Sequence, residues 1–106
     1  MTVMNTELFH KAVMEGSEPV LVEFSAPWCV YCRRIAPAME KIARQYEDKL
    51  LMATVDIDQE PLLAQKEKIE MIPTLVLYQG GQALGSIVAP ESKARIEDFI
   101  LDTLGE

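Results

Sequence analysis

The segment VLVEFSAPWCVYCRRIAPAMEKIA, Val20 to Ala43, decides how this chain folds. Its opening, together with the preceding Pro19, forms the run Pro19 to Ser25, short, apolar and rich in β-branched residues, which suits a strand buried on both faces of a parallel sheet. Glu23 is its only charged member. After Cys29 the residues Ile35, Met39, Ile42, Ala43 and Tyr46 fall on one stripe, predicting a long amphipathic helix. Pro37 has no N–H to offer the carbonyl of Arg33, so this helix is expected to kink one or two turns past the cysteines. Between strand and helix stand Cys29 and Cys32, the chain's two cysteines.

Further along, LLMATVDI, Leu50 to Ile57, reads as a second strand with apolar residues on both faces. A strand, helix, strand unit makes the two strands parallel, joined by a right-handed crossover. On the N-terminal side, Asn5 or Thr6 caps a first helix carrying Leu8, Phe9, Ala12 and Val13, and Gly16 stops it. A short strand near Thr2 to Met4 is a candidate first element. On the C-terminal side, Pro61 begins a short helix with Leu62, Leu63, Lys66 and Ile69 as its stripe. TLVLYQ, Gly80-Gly81 and QALGSIVA form an antiparallel hairpin. A last helix from about Glu91 turns Ala94, Ile96, Phe99, Ile100 and Leu104 inward. The expected fold class is α/β, a mixed sheet covered by helices on both faces, in a single domain over residues 1–106.

At 106 residues, with 49% hydrophobic and 25% charged residues, the composition is that of an ordinary globular domain able to bury a core without staples. Seventeen acidic against ten basic residues give a net charge of −7, which repels phosphate backbones and anionic membranes. The expected partners are proteins or small molecules, with no nucleic acid and no membrane. The start MTVMNTELFHK lacks a basic stretch followed by an apolar one, so a cytoplasmic location is expected. In that reducing compartment a cysteine pair is more often catalytic than structural.

Position gives the C-x-x-C its chemistry. Cys29 lies where a strand ends and a helix begins, and the unpaired N–H groups and positive dipole end of a helix stabilise a thiolate. Cys29 is therefore the expected nucleophile. Cys32, one turn on and expected to be more shielded, is placed to resolve the mixed disulfide. A structural disulfide across so short a loop would add little stability. A zinc site lacks ligands, since the only histidine is His10 on the first helix, and no metal is expected. A cluster shared between two chains is the remaining metal alternative.

These residues resemble the thioredoxin family over essentially the whole chain. VLVEFSAPWCVYCRRIAPAMEKIA is similar to the family's strand, W-C-x-x-C and kinked helix; TVDIDQEP to its next strand and turn; MIPTLVLYQGG to the segment with its cis-proline. The resemblance implies the thioredoxin fold, a central mixed four- to five-stranded sheet flanked by four helices. It implies a protein-disulfide reductase that works by dithiol-disulfide exchange on disulfide-containing proteins, as a monomer with no bound cofactor. Electrons would come from a thioredoxin reductase, with its flavin and NADPH, or an equivalent. It also implies a cis bond before Pro73, substrate pairing with the backbone at Ile72, and an apolar rim of Trp28, Ile57, Met71, Ile72 and Val88. Read without the resemblance, Ile57 and Val88 would be core. Glu23 matches the family's buried acid, usually an aspartate, which takes the resolving cysteine's proton. An apolar surrounding should raise its pKa.

The sequence departs from the family at Val30-Tyr31, where Gly-Pro is usual. Residue 31 regains an N–H that could point toward the Cys29 sulfur, so a stabilised thiolate and a more oxidising couple are expected. The aromatic Tyr31 is also similar to glutaredoxins, which makes glutathione-dependent exchange the alternative activity, beside a thioredoxin-fold binding module with incidental redox chemistry. Ala89 stands where the family has glycine and, with Pro90, narrows the approach of partner chains. Thr54 is neutral where some members carry a lysine near the buried acid.

Overall fold

Asn5 opens the first helix: its Oδ1 accepts the N–H of Leu8 at 2.8 Å, satisfying one of the donors a helix start leaves free. In the computed structural model, which describes residues 1–105, helix α1 (Thr6–Phe9) runs straight into a π-helical turn at His10–Met14. The N–H of Glu15 bonds the carbonyl of His10, five residues back. Phe9 and Val13 are buried from this segment as expected.

Strand β1 (Thr2–Val3) is followed by β2 (Val20–Ser25), β3 (Leu51–Asp56), β4 (Thr74–Gln79) and β5 (Gln82–Val88) in one sheet of order β1-β3-β2-β4-β5. β2 is parallel to β3 and antiparallel to β4, and β1 lies parallel to β3. The sheet is thus mixed, with β2 at its centre. Helix α2 (Val30–Gln45) connects β2 to β3; α3 (Pro61–Lys66) and α4 (Lys93–Leu104) complete the chain. Ser92 caps α4 through a 3.0 Å bond from the N–H of Arg95, which sets its start at Lys93.

Alternation along β2 sorts the core into two layers. Val20, Val22 and Phe24 face α1 and α3, against Phe9, Val13 and Leu63. Leu21 faces the other way, against Ile35, Met39 and Ile42 of α2 and Ile96, Phe99 and Ile100 of α4. Helices therefore cover both faces. Three apolar residues assigned inward by sequence turn outward, the first of them Leu8, exposed on α1. Leu62 is 78% exposed, because in a helix of six residues Leu63 and Ala64 take the single buried face. Ala94 is exposed on the first turn of α4, and the inward stripe begins at Ile96. Helix α2 continues through Pro37, whose ring faces solvent.

The β4–β5 turn uses Gly80 and Gly81 at φ +61° and +78°, the sign that a two-residue turn of type I′ requires at both positions. At Gly81 a Cβ would also lie 2.8 Å from the carbonyl oxygen of Met14, whereas at Gly80 it would meet nothing within 4 Å. Gly80→Ala should lose about 1 kcal/mol from the left-handed backbone alone. Gly81→Ala, adding the clash, should lose about 2 kcal/mol or more. Urea midpoints of the two variants check this; equal losses would mean that the hairpin does not depend on its contact with the π-helical turn.

Candidate active site

The carboxyl end of β2 delivers Ser25, Ala26, Pro27 and Trp28 to the start of α2, and Cys29 becomes that helix's N-cap. Its backbone is extended, and its Sγ accepts the N–H of Cys32 at 3.2 Å. An N-cap acceptor takes the amide two or three positions on. The donor is therefore the third helical residue, not Tyr31, so the extra amide expected from the loss of proline is not the bond this sulfur receives.

Cys29 and Cys32 are joined as a disulfide, with Cα atoms 5.3 Å apart. Each is 7% exposed, so the greater shielding expected of Cys32 is absent in this oxidised form. Their surroundings differ instead. Cys32 lines a cavity of about 350 Å³ with Glu23, Ser25, Pro27, Arg33, Thr54 and others.

Glu23 reaches that cavity by alternation, since it shares the face of Leu21, under α2. Val22 and Phe24 on either side face the opposite layer and are fully buried. Glu23 itself is 4% exposed, and its Oε2 has no hydrogen-bond partner. Desolvation, with a smaller contribution from the charge of Glu40, raises its pKa from 4.5 to about 7. Thr54 is its register partner on β3, and the hydroxyls of Thr54 and Ser25 lie 3.1 Å apart.

Of the residues expected in the rim, three are exposed and two touch the cysteine cluster. Trp28 is 62% exposed, Met71 64% and Val88 50%. Val88 is thus exposed rather than core. Ile57 and Ile72 are half-buried and pack against the Ala26–Cys29–Cys32 cluster. The Ile72-Pro73 bond is cis. Ala89 sits at φ +43°, the left-handed region where glycine is at ease, and its N–H donates to the Pro73 carbonyl at 2.8 Å. Val30 is exposed, and Tyr31 is half-buried.

Sequence reasoning missed Asp58 and the role of the Pro90 carbonyl. Trp28 Nε1 donates to Asp58 Oδ2 at 2.7 Å, which ties the indole to the loop after β3. A signal for Asp58 was present: Asp56 ends β3 and Asp58 follows it at the carboxyl edge of the sheet, where ligand-facing residues gather. Tyr31 donates its hydroxyl to the Pro90 carbonyl at 2.8 Å. Among the described residues no group of three or more His, Cys, Asp and Glu side chains is placed to hold a metal ion, and no helix is long and apolar enough to cross a membrane.

The family model for thioredoxin matches residues 1–102. The chain is 41% identical over 93 residues to "Thioredoxin M-type, chloroplastic" of Chlamydomonas reinhardtii, covering 88% of this chain and 66% of that protein. It is 40% identical over 92 residues to "Thioredoxin 1" of Nostoc sp., covering 87% and 86%. A third relative, the "Bifunctional thioredoxin reductase/thioredoxin" of Mycobacterium leprae, is 39% identical over 88 residues, covering 83% of this chain and 19% of that protein.

Proposed function

The chain belongs to the thioredoxin family and is a thiol-disulfide oxidoreductase of the protein-disulfide reductase type, and on that premise we propose that Cys29 attacks and Cys32 resolves. The observation that carries this order is the capping of α2 by Cys29 Sγ. A thiolate in that place is held by an N–H and by the positive end of a 16-residue helix.

In the reduced protein the Cys29 thiolate attacks one sulfur of a substrate disulfide and expels the other as a thiolate, which takes a proton from water. A mixed disulfide now joins enzyme and substrate. The Cys32 thiol gives its proton to the Glu23 carboxylate across their shared cavity and attacks Cys29 Sγ. The substrate sulfur bonded to Cys29 leaves as a thiolate and takes a proton from water, and Cys29–Cys32 is oxidised. Two electrons have passed to the substrate. The rim of Trp28, Ile57, Met71, Ile72 and Val88 receives the apolar parts of the substrate chain, and the backbone at Ile72 and Ala89 lies where an extended segment would pair with it.

The same reading takes electrons from a flavin- and NADPH-dependent thioredoxin reductase or an equivalent, supported by the relative whose name joins a reductase to a thioredoxin. It places a monomeric, single-domain protein in the cytoplasm, and the net charge of −7 speaks against nucleic acid and anionic membranes as partners. Insulin reduction by dithiothreitol, followed by turbidity, tests the activity. Micromolar protein should shorten the lag about ten-fold. A trace no faster than the chemical background would leave a binding module.

A further inference from the structure

Tyr31 stands between the two cysteines yet is tied to a residue 59 positions away. Its ring packs both on the Ala26–Cys29–Cys32 cluster and on the α2–α4 core layer, and the Arg34 guanidinium lies 5.8 Å above it. Its hydroxyl bonds the carbonyl of Pro90, itself buried. One residue earlier, Ala89 holds φ +43°, which a side chain with a Cβ adopts only when its surroundings impose it. Two hydrogen bonds bracket that residue: its own N–H to Pro73 and the Tyr31 hydroxyl to Pro90.

We infer that the Tyr31 hydroxyl is a positioning group that holds the Val88–Pro90 loop against the redox helix and so sets how well a protein chain is received. The bracket connects the three pieces of the mouth: the start of α2, the segment Met71–Pro73, and the loop after β5. With both bonds made, the exposed side chain of Val88 and the backbone beside Ile72 keep a fixed spacing from Cys29. A protein substrate that spans these pieces gains from that fixed spacing, because the ordering is done before binding. A small disulfide needs only the sulfur. The inference rests on the reading that the rim receives the substrate chain.

Tyr31→Phe removes the hydroxyl and keeps the ring. KM for insulin should rise about five-fold, the equivalent of roughly 1 kcal/mol for one hydrogen bond. kcat should fall by less, and so should kcat/KM toward a small aromatic disulfide. Hydrogen exchange at the Ala89 amide should quicken by a similar factor. Met71→Ser, made in parallel, tests the rim alone and should also raise KM. If Met71→Ser raises KM and Tyr31→Phe does not, the positioning role is overturned while the rim reading stands. If neither moves KM, the rim reading fails and the inference with it. A lower Tm in Tyr31→Phe with both kinetic constants as in the wild type marks a merely structural contact and overturns the proposal. Should Tyr31→Phe fail to fold, Arg34→Met loosens the ring from its other side: a two-fold rise in KM with faster Ala89 exchange supports the role, and no change overturns it.

Discussion

Cys32→Ser should accumulate covalent complexes with disulfide-bearing proteins through Cys29, while Cys29→Ser should trap almost none. Both variants should fall to the chemical background in insulin reduction, a loss of about two orders of magnitude or more. The asymmetry follows from what each sulfur faces. Cys29 Sγ looks onto the N-terminal amides of α2 and accepts one of them, so a negative charge there is stabilised. Cys32 Sγ shares its cavity with Glu23. Whenever that carboxyl is ionised, a thiolate at Cys32 places a second negative charge in a poorly solvated site, so Cys32 stays a thiol until its proton can be handed over. In Cys29→Ser the remaining sulfur therefore lacks an anion site. Non-reducing gels, with tryptic mapping of the cysteine in each adduct, read the outcome. Equal trapping by the two variants would reverse the assignment of attack and resolution.

Much of this site was legible because strand and helix periodicities are local. The run Val20–Ser25 and the stripe Ile35, Met39, Ile42 place Cys29 at a helix start and put Glu23 on the same side as Leu21. The two glycines at 80 and 81 likewise announce the hairpin. What local patterns could not show are partners chosen across the fold. The Tyr31 hydroxyl finds Pro90, and the Trp28 indole finds Asp58, because the sheet brings separate loops to one edge. Leu62 and Ala94 were misplaced for a related reason: at a helix end the apolar spacing allows more than one face, and packing selects it. The π-helical turn at His10–Met14 has no signature in the apolar spacing, although Phe9 and Val13 were rightly placed inside. The rim residues Met71 and Val88 came from family resemblance, since apolar side chains beside strands otherwise read as core.

Glu23→Gln should stabilise the protein at alkaline pH and slow its resolving step. Burial raises the Glu23 pKa from 4.5 to about 7, so between these values the native state holds a proton that the unfolded chain has released. Stability then falls as pH rises across that window and levels off above it. A shift of this size corresponds to roughly 3 kcal/mol, all of it present as destabilisation at pH 8 and absent below about pH 4.5. Glutamine keeps the shape and removes the charge. Its amide inherits the unpartnered position of Oε2, so about 2 kcal/mol of the difference should be recovered. In a domain of this size that is roughly 10 °C in Tm at pH 8; at pH 4, where the neutral carboxyl carries no charge to remove, only the amide's penalty of about 1 kcal/mol remains and Tm should fall by roughly 5 °C. The same substitution removes the group that accepts the Cys32 proton. Resolution of a preformed mixed disulfide should slow by about 100-fold, while attack by Cys29 on a fresh disulfide changes little. The two readouts separate two roles for one carboxyl. A rise in Tm with both steps unaltered would make Glu23 a strained structural residue alone. No pH-dependent rise in Tm would show that the carboxyl is better solvated in the folded protein than its burial beside α2 implies.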